Sequence, residues 1–160
     1  MPFQRLTYHF TTKLAASRPR AYRWATDYRP TDLRLGGLKA TRKVERVAEN
    51  LILLTDSFDV DPFDSRRGAR TEKTKLVHLY PERWAWTSTH VSGPARYSQF
   101  LYELTPRGPT ACTLHFTGSQ VERVDRVPTR SQLARRAREL RREDSQLWVR
   151  LAAAFAKESS

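Results

Sequence analysis

The chain has 160 residues, 39% hydrophobic and 29% charged, with 29 Lys and Arg against 17 Asp and Glu for a net charge of +12. That polarity leaves no run of the roughly 18 or more apolar residues a membrane span needs, while four Trp, six Tyr and seven Phe are too many for a disordered chain. A lone cysteine, Cys112, excludes an internal disulfide and a multi-cysteine zinc site, which fits a reducing compartment.

The length predicts one domain over residues 1–160, with residues 157–160 frayed. The opening MPFQRLTYHF lacks the apolar stretch of a signal peptide, so a soluble cytoplasmic protein is expected. Of the 29 basic residues 23 are Arg. A field of that sign favours anionic partners without choosing among nucleic acid, acidic membranes and acidic small molecules.

Residues 3–14 read as a strand, with Leu6, Tyr8, Phe10 and Leu14 on one parity and Arg5, Thr7, His9 and Lys13 on the other. Ser17 is placed to cap a helix whose first turn tolerates Pro19. Ala21, Trp24, Ala25 and Tyr28 form its apolar stripe. Pro30 stops it, a short second helix follows near 31–35, and Gly36 and Gly37 end that. Six strands are predicted next, at 39–47, 51–60, 71–80, 83–91, 96–105 and 110–121. Their short connections imply antiparallel neighbours, seven strands in all.

The period then changes from two to 3.6. Pro128 opens a helix of about 26 residues, roughly 40 Å long, with Thr129 or Ser131 as its cap. Leu133, Ala137, Leu140, Leu147, Leu151 and Ala154 form one stripe, flanked by Trp148 and Phe155. Asp144 interrupts it where an apolar residue is expected. The opposite face is basic, with Arg135, Arg136, Arg138, Arg141 and Arg142. With a sheet upstream to cover, packing on that sheet is expected rather than a coiled coil.

This order resembles the helix-grip fold, an α+β architecture in which a curved antiparallel sheet wraps a long C-terminal helix. FTTKLAASRPRAYRWATDY, residues 10–28, resembles the opening of START-like (SRPBCC, Bet v 1-type) proteins: a strand, a small-residue turn, and a helix ending in an Asp-Tyr pair. YELTPRGPTACTLHF, residues 102–116, resembles their penultimate hairpin. The resemblance spans nearly the whole chain in element order and includes no catalytic signature. It implies an apolar cavity between sheet and helix. Members carry lipids, sterols, polyketides or plant hormones there, and others are polyketide cyclases or dehydratases, so fold alone does not settle function.

Nucleotide-binding, zinc-protease and nucleophile-elbow motifs are absent. Cys112 shares the parity of Leu114 and Phe116 and reads as a small buried hydrophobe. The four histidines, His9, His78, His90 and His115, give no defensible metal pair. His78 and His90 are the better catalytic candidates, because each shares a parity with aromatics. The acidic cluster Asp56, Asp59, Asp61 and Asp64 does not match a calcium loop; Arg66, Arg67 and Arg70 are expected to neutralise it. By resemblance, Pro62, Phe63 and Gly68 are lid candidates over the cavity mouth.

The expected pocket comprises Phe58, Trp86, His90, Tyr97, Phe100 and Tyr102 from the strands, and Leu140, Leu147 and Leu151 from the last helix. The first reading is binding or transport of an apolar, lipid- or polyketide-like molecule, with no cofactor and no metal. The alternative is a cyclase or dehydratase in the same cavity, with His78 or His90 and the Tyr102 hydroxyl as acid and base. The basic helix face suits an acidic membrane surface. A nucleic-acid module is disfavoured, because the aromatics lie on strands with core parity and the arginines on the helix.

Overall fold

The computed structural model describes residues 2–59 and 70–158. Seven strands form one antiparallel sheet: β1 (Phe3–Leu14), β2 (Ala40–Ala48), β3 (Leu51–Phe58), β4 (Thr71–Tyr80), β5 (Ala85–His90), β6 (Gln99–Pro106) and β7 (Cys112–Arg123). Their order is β1-β7-β6-β5-β4-β3-β2, so each strand from β2 onward pairs with the next, and β1 closes on β7. Two helices, α1 (Arg18–Thr26) and α2 (Asp32–Leu35), carry the chain from one sheet edge to the other. The long helix α3 (Arg130–Glu158) lies across the concave face of this curved sheet.

Period-two alternation decides which side chains face the helix. Leu6, Tyr8 and Phe10 of β1 are buried, as are Leu114 and Phe116 of β7, Phe100 and Leu104 of β6, Trp86 of β5, and Ile52 and Leu54 of β3. From α3, Leu140 and Phe155 are fully packed, and Trp148 and Ala152 join the same clusters. Each such aliphatic or aromatic side chain contributes roughly 1.5–3 kcal/mol by leaving water. Cys112 is part of this core, and burial pushes its thiol pKa up.

Local chemistry explains the departures from the sequence reading. Strand β5 begins at Ala85, because Pro81–Arg83 forms a 3-10 turn closed by Trp84 N–H donating to the Pro81 carbonyl at 3.2 Å. Trp84 takes a left-handed φ of 54°, which brings its ring edge-on to Tyr22 of α1 and under the Arg18 guanidinium. Strand β6 begins at Gln99: residues 91–98 form a loop in which Tyr97 (φ 76°) donates its N–H to the His90 carbonyl.

Ser17 occupies the cap position of α1 without a side-chain bond. Thr129, not Ser131, caps α3 through a reciprocal pair: its hydroxyl accepts from the Gln132 N–H, and the Gln132 side chain accepts from the Thr129 N–H. That helix runs to Glu158, two residues into the tail expected to fray. Glu158 is still helical, because its carboxylate accepts hydrogen bonds from Trp24 Nε1 and from Arg29. Arg136 leaves the basic face and turns inward to Glu122, 2.7 Å away.

Candidate functional site

Helix α3 packs closely on β1 at the sheet edge, while the middle of the sheet curves away from it. The space between is a cavity of about 980 Å³. Its wall comes from β3 to β7, the 91–98 loop, Leu33 of α2 and Leu38 just after it, and Asp144, Leu147 and Trp148 of α3.

An apolar region is built from aromatics on neighbouring strands. Register places Tyr102 between Trp86 and Phe116, and Phe100 beside Gly118. Tyr102 stacks on Trp86 with ring centroids 4.9 Å apart and meets Phe116 edge-on at 5.2 Å. Trp148 descends from the helix to within 5.7 Å of Tyr102. Such offset and edge-on contacts suit the aromatic quadrupole. Burial raises the Tyr102 hydroxyl well above its ordinary pKa, with Tyr28 and Asp144 adding to the effect.

The remaining wall is charged, which corrects the expectation of a greasy hollow. On β4 the inward parity that carries Val77 and Leu79 also carries Lys73 and Lys75. Asp56 of β3 is fully buried and takes two hydrogen bonds from Arg42 of β2, at 2.6 and 2.8 Å. Lys75 Nζ lies 2.8 Å from the same carboxylate. Burial alone would raise Asp56, but Lys75 and Arg42 overcome it and hold the carboxyl below its ordinary range. Arg42 and Lys75 thus pair with Asp56; Asp61 and Asp64 of the expected acidic cluster, and Arg66 and Arg67 expected to neutralise it, lie outside the described residues. No cluster of three or more potential metal ligands occurs among the described residues.

His90 pairs directly across β4–β5 with Lys75 and is only 8% exposed. Burial, then the charges of Lys75 and Lys73, push its pKa well below the ordinary value, so the ring is neutral. Its Nδ1 has no hydrogen-bond partner among the described residues.

At the helix seam, the Tyr8 hydroxyl donates a short hydrogen bond to Asp144 Oδ2. Asp144 occupies the break in the apolar stripe, so its carboxyl is carried onto the cavity wall by the same periodicity that buries Leu140. Burial, reinforced by Glu143, pushes Asp144 up to about 6, against the opposing pull of Tyr8, Lys75 and Lys73. Burial and the Asp144 charge raise Tyr8 in turn. At another part of the wall Glu122 accepts from Arg136, Gln4 and Gln120; these bonds overcome burial and keep it ionised.

Of the sequence candidates, Phe58, His90, Tyr97, Phe100, Tyr102 and Leu147 line the cavity, Tyr97 from an exposed position on its rim. Trp86 lies beneath the wall, sealed under Tyr102, and Leu140 is consumed by packing on β1 and β7. Leu151 does not reach the cavity. His78 alternates with inward Val77 and Leu79 and so falls on the outer face, away from the site. Pro62, Phe63 and Gly68 lie outside the described residues. Sequence reasoning did not assign Tyr8, Asp144, Lys73 or Lys75 to the site. The signal for each was a polar group on a core parity or stripe.

No family model matches the sequence, and no curated protein matches it. Solved structures share its fold. The Zhui aromatase/cyclase from Streptomyces sp. R1128 superposes with a TM-score of 0.71 at 13% identity, over 94% of each chain. A START superfamily protein from Mycobacterium smegmatis gives 0.66 at 13% identity, covering 89% of this chain and 93% of its own. Norcoclaurine synthase from Thalictrum flavum, in complex with dopamine and hydroxybenzaldehyde, gives 0.68 at 11% identity, covering 99% and 90%. The chain therefore has the helix-grip fold of START-like, Bet v 1-type proteins, as the resemblance implied.

Proposed function

We propose that the cavity binds a small aromatic or polyketide-like ketone and that the protein acts on it as an acid–base catalyst of the cyclase or dehydratase kind. The carrying observation is Asp144: a carboxyl on the cavity wall, held by Tyr8 and pushed up to about 6. A group with that pKa is divided between base and acid near neutral pH, which suits proton transfer in both directions. A passive apolar carrier has no use for it. The fold neighbours support the choice in kind, since they include aromatase/cyclases and norcoclaurine synthase.

In this reading ionised Asp144 takes a proton from the carbon beside a carbonyl. The Tyr102 hydroxyl hydrogen-bonds the developing enolate oxygen. The enolate carbon attacks a second carbonyl of the same molecule, and the alkoxide so formed takes the proton from Asp144. Ionised again, Asp144 removes a second proton from the attacking carbon and delivers it to the new hydroxyl, which leaves as water while the carbon–carbon double bond forms. His90, neutral and buried, orients substrate by hydrogen bonding. A carrier is the second reading. It is favoured by the exposed arginines Arg135, Arg138, Arg141 and Arg142, which suit an acidic membrane from which an apolar cargo is loaded.

The test is exchange of the methyl protons of acetophenone for deuterium, followed by NMR. The native protein should catalyse it, and Asp144→Asn should lose roughly 10²–10⁴-fold of that catalysis while retaining ligand affinity. Binding without exchange by the native protein would leave the carrier reading in place of the enzyme.

A further inference from the structure

We propose that the β4–β5 wall of the cavity is a subsite for an anionic oxygen group, so that its ligand is an amphipathic acid: an aromatic body with one negatively charged head. The proposal deepens the reading of the cavity as a small-molecule site and rests on it.

Three observations converge on that wall. Two cations, Arg42 and Lys75, share the single carboxylate of Asp56, which leaves this buried triad with an excess positive charge. Lys75 is the member that reaches the cavity, and Asp56 engages one of the three donors an ammonium carries. Opposite it in register stands His90, buried, with an unpartnered ring nitrogen. Ser88, two residues before His90 on the same face, is also buried and lines the cavity. Uncompensated positive charge and an orphaned polar atom both cost free energy away from water. A carboxylate or similar group set between Lys75 and His90 relieves both, since neutral His90 still has an N–H to donate.

Among the described residues, the other acidic groups of the wall do not supply that anion: Glu122 is engaged by Arg136, Gln4 and Gln120, Asp144 by Tyr8, and Glu72 and Asp125 are exposed, Glu72 accepting from Ser57. The aromatic body follows from adjacency. Phe100 lies 5.2 Å from the His90 ring, and Tyr102 and Trp148 continue the surface toward Asp144. A bound acid thus points its charge at β4–β5 and its far end at the Tyr8–Asp144 pair.

Two fluorescent probes of one shape test this: 1-anilinonaphthalene-8-sulfonate, and N-phenyl-1-naphthylamine, which lacks the sulfonate. The native protein should bind the anionic probe at least about tenfold more tightly, the size of one charge-assisted hydrogen bond. Lys75→Met should remove most of that preference and leave the neutral probe bound as before. His90→Phe, which keeps a ring and loses the donor, should reduce the preference severalfold. Lys43→Met, at a side chain 70% exposed, should leave both affinities unchanged and thereby separates cavity binding from surface charge. Equal binding of the two probes by the native protein, or equal losses in Lys75→Met and Lys43→Met, overturns the anionic subsite while the cavity reading stands. Failure of the neutral probe to bind the native protein overturns the cavity reading, and the subsite with it.

Discussion

Replacing Asp144 with Asn separates the carboxyl's charge from its shape. The side chain keeps its size, and Asn Oδ1 still accepts from the Tyr8 hydroxyl. In the folded protein the Asp144 pKa rises from 3.8 to about 6. A raised carboxyl pKa means that the folded state prefers the protonated form. Its stabilising contribution is therefore complete below the unfolded value and is lost as pH rises through the folded one. At roughly 1.4 kcal/mol per pKa unit the whole effect is at most about 3 kcal/mol, and about 1.4 kcal/mol of it falls between pH 5 and pH 8. The side chain is half-buried and water screens part of its charge, so both figures are ceilings. Urea unfolding of both proteins at pH 5, 6, 7 and 8 isolates this group, because every other titration is common to the pair. Asp144→Asn should gain stability relative to the native chain across that range, by on the order of 1 kcal/mol. Two stability curves that stay parallel to within about 0.3 kcal/mol would refute the environment described for Asp144, and with it the basis for its catalytic role.

Removing the Asp56 carboxylate should be more costly. Asp56→Asn leaves Arg42 and Lys75 buried without their counter-charge, and chemical denaturation should register a loss of about 3–5 kcal/mol. Because Asp56 is held below its ordinary value, that stability is present above about pH 4 and is lost as pH falls; the native chain should weaken there more steeply than the variant. Gly118 marks a different constraint. A Cβ there would stand 2.9 Å from the Tyr8 ring and 3.0 Å from Phe116, so Gly118→Ala should cost about 1–3 kcal/mol and displace Tyr8 from Asp144, measurable as a shift in the Asp144 titration by NMR. The Cys112 thiol is buried and its pKa raised; a thiol reagent should modify it only in denaturant, and rapid labelling of the folded chain would contradict its place in the core.

By itself the sequence determined the elements and the parity of nearly every side chain. Period-two alternation is a property of the extended backbone, so residues 3–14 announced which of their side chains would be buried, and the 3.6-residue stripe from Leu133 announced a helix with one face to cover. The order of β2 to β7 followed as well, because short connections leave consecutive strands little choice but to pair; the closing of β1 on β7 did not. Even Asp144 was visible as an anomaly, a charge where the stripe calls for an apolar group. Only the tertiary structure decided what the anomalies meant. Tyr8 and Asp144 are 136 residues apart, and Arg42, Asp56, Lys75 and His90 come from four strands. Whether such groups form a site depends on register and on where the helix crosses the sheet, and these are set by packing summed over many distant contacts. Periodicity tells each residue which way to face; only the folded sheet and helix determine what it faces.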